Sequence, residues 1–458
     1  MNSILQLKGR FEQRSNRSRP GSPKLPKGKS VSASHLRELE KQLERILVYW
    51  TENKDIRGAL VSVHYKHIVA KSNRLKILLS ENGKSPTESI RGAKFVWEPD
   101  QKGNEVQKHV FTHFVSLQAI EKSIDVLKKT ASIIEQYYKG SVPSEVIEEL
   151  GEKYHFNEVP KTSFLKTVVD GFYVERFDID RATEEITEEA IITIYQTGVD
   201  TKRLLSKFGI DIVDDRIIDG TTLRLNPDEV KLLYNNASYL IAMGVTDFSE
   251  ISRDDVLDAY EDMEEEAGLL IPHPQNEPVI GVIDTQFNEK VYFHEWVEYK
   301  NLLDPNIPLS RKDYEHGTAV SYIIVDGPQG NPELADGCGR FRVRHFGVAT
   351  NNGFSSFTVL KMIRNIVASN RDIKVWNLSL GSKLEIKPNF ISPEAAELDR
   401  IQSEYDVIFV VAGTNIPAGV TKKNMRIGFP ADSLNSMVVN AVDFAGNSAS
   451  YTRIGPVL

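Results

Sequence analysis

The sequence of 458 residues contains one cysteine, Cys338, and lacks any uninterrupted apolar run of the roughly 18–20 residues that span a bilayer. A single cysteine excludes an intramolecular disulfide, and the amino terminus lacks the apolar stretch of a secretory signal. We therefore expect a cytoplasmic protein with no membrane partner. Neither Gly-x-Gly-x-x-Gly nor a Walker-type loop opens any predicted helix of the carboxyl-terminal part, which argues against a nucleotide-binding protein.

An excess of positive charge is also absent. The chain has 56 basic and 64 acidic residues and a formal net charge of −8. This charge argues against a protein whose whole surface binds nucleic acid. Hydrophobic residues make up 40% and charged residues 26%, as in globular proteins. At about 150 residues per domain, the length predicts two or three folded units.

Two segments of biased charge divide the chain. Residues 1–33 are predicted to be a basic flexible arm, because eight lysines or arginines and one acid precede residue 30 and apolar side chains are few. Docking of this arm on an acidic partner or on nucleic acid is the alternative. Residues 251–277 are predicted to be an acidic helix and linker, with eight acids and no base between Asp254 and Glu266.

Residues 34–250 are predicted to form an α+β region of unknown role. We expect Ser34 to cap an amphipathic helix, and a second helix to run from the Asn-Pro-Asp start at Asn226 to Ala242. Four histidines lie on strand-like runs without metal-ligand partners at useful spacing, which favours structural roles: His64, His67, His109 and His113.

From residue 278 onward, short continuous apolar runs alternate with helical stretches. Parallel strands that are covered on both faces have this pattern, so we predict a doubly wound α/β domain over residues 278–458. In such sheets the functional site lies at the carboxyl ends of the strands. The predicted strands are Val279–Ile283, Phe341–Val348, Ile373–Leu380, Val407–Ala412 and Met437–Val442.

Polar motifs follow or connect these runs in a fixed order. Asp284 ends Gly-Val-Ile-Asp-Thr, and His316 opens His-Gly-Thr-Ala-Val 32 residues later. Asn377-Leu-Ser-Leu-Gly381 comes next, and Asn415 ends Val-Val-Ala-Gly-Thr-Asn, 99 residues after His316. Each motif alone is compatible with an ordinary turn or strand end.

Together and in this order, the motifs resemble those of the subtilisin-like serine proteases, the subtilases, whose catalytic residues run Asp, His, Ser. The resemblance implies that His316 is the general base, that Asp284 orients it, and that the Asn415 amide stabilises the oxyanion. It also implies a substrate site that pairs with the peptide backbone. No cluster of acids at coordination spacing near this part of the sequence compels a metal, and we expect no cofactor. The substrate-binding residues would be Ser379, Leu380, Gly381, Ala412 and Gly413.

The sequence departs from the subtilase pattern in four ways. Gln286 and Thr414 stand where the family usually has glycine, and Ala319 replaces a second histidine. The Gly-Thr-Ser of the nucleophile occurs nowhere in the chain, whereas Gly455-Pro456 resembles the run that precedes it. We therefore expect a carboxyl-terminally incomplete subtilase domain whose catalytic serine lies beyond Leu458. We also expect these 458 residues alone to lack protease activity.

The resemblance implies an intracellular serine endopeptidase that acts on a polypeptide substrate through an acyl-enzyme. The long amino-terminal extension resembles that of bacterial cytoplasmic subtilases encoded beside an AAA-type ATPase in phage-defence or plasmid-maintenance loci, which implies an AAA-type ATPase as a partner. A non-catalytic subtilase-fold binding or regulatory module is the alternative, because the expected serine is absent from the chain.

Overall fold

The computed structural model describes residues 24–81, 84–99, 103–150, 154–183, 186, 188–249, 271–332, 335, 337–351, 353–386, 391–416, 425–442 and 445–455. The acidic run between Asp254 and Glu266 and the first 23 residues of the predicted basic arm lie outside the described residues. No helix in the described ranges combines the length and the apolar character needed to cross a lipid bilayer.

The amino-terminal part begins with an α+β unit. Two long helices pack against each other beside an antiparallel sheet of strand order β3-β4-β2-β6. The helices of this unit are α1 (Ala33–Glu52), α2 (Leu117–Tyr137), α3 (Ser144–Glu149) and α4 (Lys161–Tyr173). Its strands are β1 (Ser30–Ser32), β2 (Ala59–Tyr65), β3 (Ile90–Pro99), β4 (Glu105–Val115), β5 (Ser141–Pro143) and β6 (Val174–Asp178).

The start of this unit corrects two predictions. Ser32, not Ser34, caps α1, because its side chain accepts a hydrogen bond from the backbone N–H of His35. The predicted arm of residues 1–33 also extends too far, since β1 pairs with β5 and the Val31 side chain is buried.

A second antiparallel sheet, of strand order β8-β7-β9, completes the amino-terminal part. Asn226 begins α6 as its sequence predicts, because its side chain and that of Glu229 form a capping box. The helix ends at Ala237 rather than Ala242, since the residues from Ile241 onward pair with β7. The elements are β7 (Ala190–Ile194), α5 (Thr201–Ser206), β8 (Thr222–Leu225), α6 (Pro227–Ala237) and β9 (Ile241–Thr246).

The strand histidines of this part have structural partners. The His64 ring lies 2.9 Å from Asp180 Oδ1, and the His113 ring lies 2.8 Å from Ser89 Oγ. His109 accepts the backbone N–H of Val69. Within the described ranges, no three His, Cys, Asp or Glu side chains are arranged to hold a metal ion.

The carboxyl-terminal part is built on a six-stranded parallel sheet of order β12-β13-β11-β15-β16-β17. Ile283 and Phe409 pack with α8 and α9 in one core, and Val282 packs with Val325 of α7 in another. The predicted doubly wound α/β fold is therefore confirmed. The strands are β11 (Val279–Asp284), β12 (Val297–Asn301), β13 (Arg342–Gly347), β15 (Val375–Leu378), β16 (Ile408–Ala412) and β17 (Met437–Val439). The helices are α7 (Lys312–Gly330), α8 (Ser356–Ser369) and α9 (Pro393–Tyr405).

A short strand pair joins the two parts. Strand β10 (Phe248–Ser249) pairs antiparallel with β14 (Phe354–Ser355), directly before α8. The Asp247 carboxylate accepts hydrogen bonds from the Ser355 hydroxyl and from the Phe357 backbone N–H, 2.9 Å away. The sheet β8-β7-β9 therefore lies on the helical layer of the carboxyl-terminal part.

Candidate active site

The candidate site begins with a buried carboxylate at the end of β11. The Asp284 side chain is completely buried, and its Oδ1 atom accepts the backbone N–H of Thr285 at 2.7 Å. The Nδ1 atom of His316, in the first half of α7, lies 2.5 Å from the same oxygen. Because a carboxylate only accepts, Nδ1 carries the proton and Nε2 of the neutral ring is a free acceptor. This arrangement allows His316 to act as a base.

Electrostatics strengthen the Asp284–His316 pair. Burial alone would lower the pKa of His316, but the charge and hydrogen bond of Asp284 outweigh it and raise the pKa of His316 above its usual range. Burial alone would raise the pKa of Asp284, but His316, His345 and the Thr285 N–H hold it below its usual range. About a quarter of the His316 side chain is exposed, so an approaching group can reach the ring.

Glycine at position 317 lets α7 approach β11 closely. A Cβ atom there would lie 2.6 Å from the Gln286 carbonyl oxygen and 2.8 Å from that of Thr285. Its backbone N–H donates to Thr285 Oγ1 at 2.9 Å. Any larger residue would push His316 away from Asp284, which explains the Gly in His-Gly-Thr.

The departure at Gln286 has a structural explanation. This fully buried amide donates to the Ala349 carbonyl at 3.0 Å and accepts the Tyr299 hydroxyl at 2.6 Å. Ala349 follows β13 and Tyr299 lies in β12. Gln286 therefore connects the segments that follow β11 and β13 to the middle of β12, beside the Asp284–His316 pair.

The predicted substrate-binding residues lie at neighbouring strand ends. Residues 379–381 follow β15. Ala412 ends β16, which pairs in parallel with β15, and Gly413 follows it. Since β15 also pairs with β11, these segments and Asp284 lie at one edge of the sheet, about 5 Å apart from strand to strand. Their role in substrate binding stays a prediction.

The departure at Thr414 is likewise accommodated. This residue has a φ of 68°, in the left-handed region that favours glycine. Its hydroxyl accepts the Gly428 N–H at 2.9 Å, and its methyl group lies where a side chain at Gly381 would be. Local contacts therefore offset a strained backbone.

Asn415 follows Thr414 directly. Its backbone forms a bridge with Thr452, but its side-chain amide makes no hydrogen bond to the residues that the structure describes. It belongs to the strand end two strands away from Asp284. The structure thus joins Asp284 and His316 in direct contact, whereas the predicted oxyanion role of Asn415 stays a prediction.

Comparison with known families agrees with this geometry. Residues 275–458 match the subtilase family. We call these residues the subtilase domain, after the family that they match. A comparison with curated protein sequences finds no match for the chain.

Weak similarities extend to solved proteases. The structure of the prenylagaramide maturation protease PagA has a TM-score of 0.31 and 16% identity, with 43% of this chain and 63% of PagA covered. The patellamide maturation protease PatA has a TM-score of 0.29 and 15% identity, with 39% of this chain and 61% of PatA covered. The epidermin leader peptide processing protease EpiP from Staphylococcus aureus has a TM-score of 0.34 and 17% identity, with 59% of this chain and 74% of EpiP covered. The chain thus covers less than two thirds of PagA and of PatA.

Two buried residues of the subtilase domain were not expected from the sequence. The Arg453 side chain is 2% exposed and donates to the carbonyl oxygens of Asn415 and Lys383, each at 2.8 Å. It therefore holds the segment of the predicted oxyanion residue against the segment that follows Gly381. Nothing in the sequence around Arg453 distinguishes it from a surface arginine.

The second residue is His345, in the middle of β13. Its ring is fully buried behind Asp284 and contacts Ser321 and Thr285. A polar residue inside the apolar run Phe341–Val348, beside the strand that ends at Asp284, was the available signal.

Proposed function

We propose that the subtilase domain belongs to a serine-type endopeptidase that hydrolyses peptide bonds through an acyl-enzyme. The observation that carries this proposal is the 2.5 Å contact between a fully buried Asp284 and Nδ1 of a partly exposed His316, at the carboxyl edge of the parallel sheet. This contact fixes the tautomer that leaves Nε2 free to accept a proton.

In the proposed reaction, a hydroxyl oxygen attacks the substrate carbonyl carbon while Nε2 of His316 accepts the hydroxyl proton. The oxyanion that forms accepts a hydrogen bond from the Asn415 amide. His316 then donates its proton to the leaving amine as the C–N bond breaks. Water attacks the resulting ester by the same route, which releases the acid and restores the hydroxyl.

Substrate recognition in this proposal uses the neighbouring strand ends. A peptide in extended form pairs with residues 379–381 on one side and contacts Ala412 and Gly413 on the other. Leu380 is buried, whereas Ser379 is half-buried and accepts the Asn377 amide at 2.8 Å. The backbone of this segment is therefore held in a defined conformation.

The test is labelling with a fluorophosphonate, which reacts with activated serine hydroxyls. Any longer product of the same gene and the 458-residue chain are compared, each with His316→Ala. We expect labelling of a longer product that contains Gly-Thr-Ser, and loss of this labelling in its His316→Ala variant. We expect no labelling of the 458-residue chain, which contains no Gly-Thr-Ser. His273→Ala, at an exposed histidine paired with Glu295, is the matched control and keeps full labelling.

Absence of labelling from every product of the gene would favour the second candidate, a non-catalytic binding or regulatory module. The observation that favours this candidate is the missing Gly-Thr-Ser. In that case, labelled peptides would bind to the wild-type chain without being cleaved.

We further propose that the protein works in the cytoplasm beside an AAA-type ATPase, in a phage-defence or plasmid-maintenance system. The sequence has one cysteine and so excludes an intramolecular disulfide, which supports a reducing compartment. The basic start and the long amino-terminal extension resemble those of subtilases encoded beside an AAA-type ATPase, and this resemblance supports the proposed partner. Co-expression with the ATPase of the neighbouring gene tests this, and failure of the two to co-purify with or without ATP would contradict it.

A further inference from the structure

His345 occupies the space between the end of β11 and helix α7. Its Nε2 atom lies 2.8 Å from the Thr285 carbonyl oxygen, and its Nδ1 atom lies 2.9 Å from Ser321 Oγ on α7. The aromatic rings of Phe287 and Tyr299 pack against it, each with its centroid 5.7 Å away. One side chain thus contacts both elements that carry the Asp284–His316 pair.

These contacts fix the tautomer of His345. A carbonyl oxygen only accepts, so Nε2 carries the proton and donates it to Thr285. Burial in this closed environment lowers the pKa of His345, which keeps the ring neutral. Nδ1 is therefore an acceptor, and the Ser321 hydroxyl donates to it.

Thr285 connects His345 to both members of the pair. Its backbone N–H donates to Asp284 Oδ1 at 2.7 Å, and its hydroxyl accepts the Gly317 N–H at 2.9 Å. A Cβ atom at Gly317 would also lie 2.8 Å from the His345 ring. Movement of His345 would therefore be transmitted to Asp284 and to the backbone next to His316.

We propose that His345 is a positioning residue that, by donating to the Thr285 carbonyl, holds the Asp284–Thr285 turn against α7 and keeps the Asp284–His316 hydrogen bond short. A leucine of similar volume could fill the same space but could not donate to Thr285. The catalytic consequence rests on the proposed function, whereas the effect on the Asp284–His316 bond does not.

The test uses proton NMR of the 458-residue chain, with ¹⁵N-labelled histidine, and follows the far-downfield Nδ1–H signal of His316. His316→Ala assigns the signal by removing it. In His345→Leu we expect this signal to be lost and the titration midpoint of His316 to move to lower pH, because the raised pKa depends on close contact with Asp284. His345→Gln, which keeps a donor, is expected to restore the signal.

The matched control is His113→Leu. His113 is another buried strand histidine bonded to a serine, but it lies in the amino-terminal part. This variant should leave the His316 signal and titration unchanged. An unchanged signal and midpoint in folded His345→Leu would overturn the proposal.

Ser321→Ala covers the case in which His345→Leu fails to fold. Removal of the hydroxyl breaks the contact between His345 and α7. We therefore expect a broadened His316 signal, and an unchanged one would overturn the proposal. None of these readouts needs hydrolysis. A failure of fluorophosphonate labelling would thus contradict the proposed function alone.

Discussion

At the scale of single residues, the charge of Asp284 determines the protonation of His316. The carboxylate is fully buried, and its Oδ2 atom has no hydrogen-bond partner in the described part of the chain. Its interaction with the imidazolium is therefore concentrated in the 2.5 Å contact through Oδ1. A buried contact of this kind stabilises the charged form of the ring.

Asp284→Asn should lower the pKa of His316. The folded-state pKa of His316 is raised, so the stabilising contact is present at low pH and is lost as pH rises through that pKa. Loss of the carboxylate charge moves the titration midpoint to lower pH, which an NMR titration of labelled histidine measures. Asp326→Asn is the control, because Asp326 is also a buried acid of α7 but pairs with Arg340. An unshifted midpoint in Asp284→Asn would contradict the assigned contact.

At the scale of elements, an acid from the amino-terminal part accepts a hydrogen bond at the start of a helix of the subtilase domain, next to the N-cap Ser355. The Asp247 carboxylate accepts the Phe357 N–H in the first turn of α8 and also pairs with Arg224 at 2.7 Å. The negative charge interacts favourably with the positive end of the helix dipole. This residue links β9, β10 and α8.

Asp247→Ala should therefore loosen the start of α8. Loss of this hydrogen bond to a charged group costs about 1 kcal/mol or more, so we expect the Phe357 amide to exchange its hydrogen several-fold faster, as measured by hydrogen–deuterium exchange. Asp200→Ala is the matched control, because Asp200 caps α5 and contacts only the amino-terminal part through Arg203. Equal exchange at Phe357 in Asp247→Ala and in the wild-type chain would rule out this stabilising role of Asp247.

At the scale of the whole molecule, acids from both parts meet at one junction. Burial, followed by the nearby charges of Asp432 and Asp247, raises the pKa of Glu394 to about 8. Glu394 lies at the start of α9, and Asp247 comes from the amino-terminal part. Folding therefore brings together carboxyl groups that are far apart in the sequence.

This raised pKa predicts a pH-dependent stability. The folded state holds the Glu394 proton more tightly than the unfolded state, so the free energy of unfolding falls as pH rises from about 4.5 to about 8. Glu394→Gln removes this loss and should stabilise the chain at pH 8 by on the order of a few kcal/mol, with little effect at pH 5. Urea denaturation at both pH values measures the difference. Glu44→Gln, at an exposed position of α1, should show none, and equal effects of the two variants would refute the prediction.

Much of the fold was predictable because strands and helices leave local patterns. The run Val279–Ile283 is continuously apolar, since β11 is covered on both faces. The errors occurred where pairing with distant segments decided the outcome. Ser32 rather than Ser34 caps α1 because the β1–β5 pairing holds Ser32 in an extended conformation, and α6 ends early because Ile241 pairs in β9.

The candidate site divides in the same way. Asp284 and His316 were identified from the order and spacing of their motifs, and the structure joins them. His345 and Arg453 carry no motif, since each acts through carbonyl groups that approach it only after folding.

The sequence by itself determined the doubly wound fold of the carboxyl-terminal part and the pair of residues at its centre, because apolar periodicity and short motifs are local properties of the chain. Only the tertiary structure decided which groups support that pair, how Gln286 and Thr414 are accommodated, and how Asp247 reaches α8. These features depend on distances between segments up to about a hundred residues apart, and no local pattern records such distances.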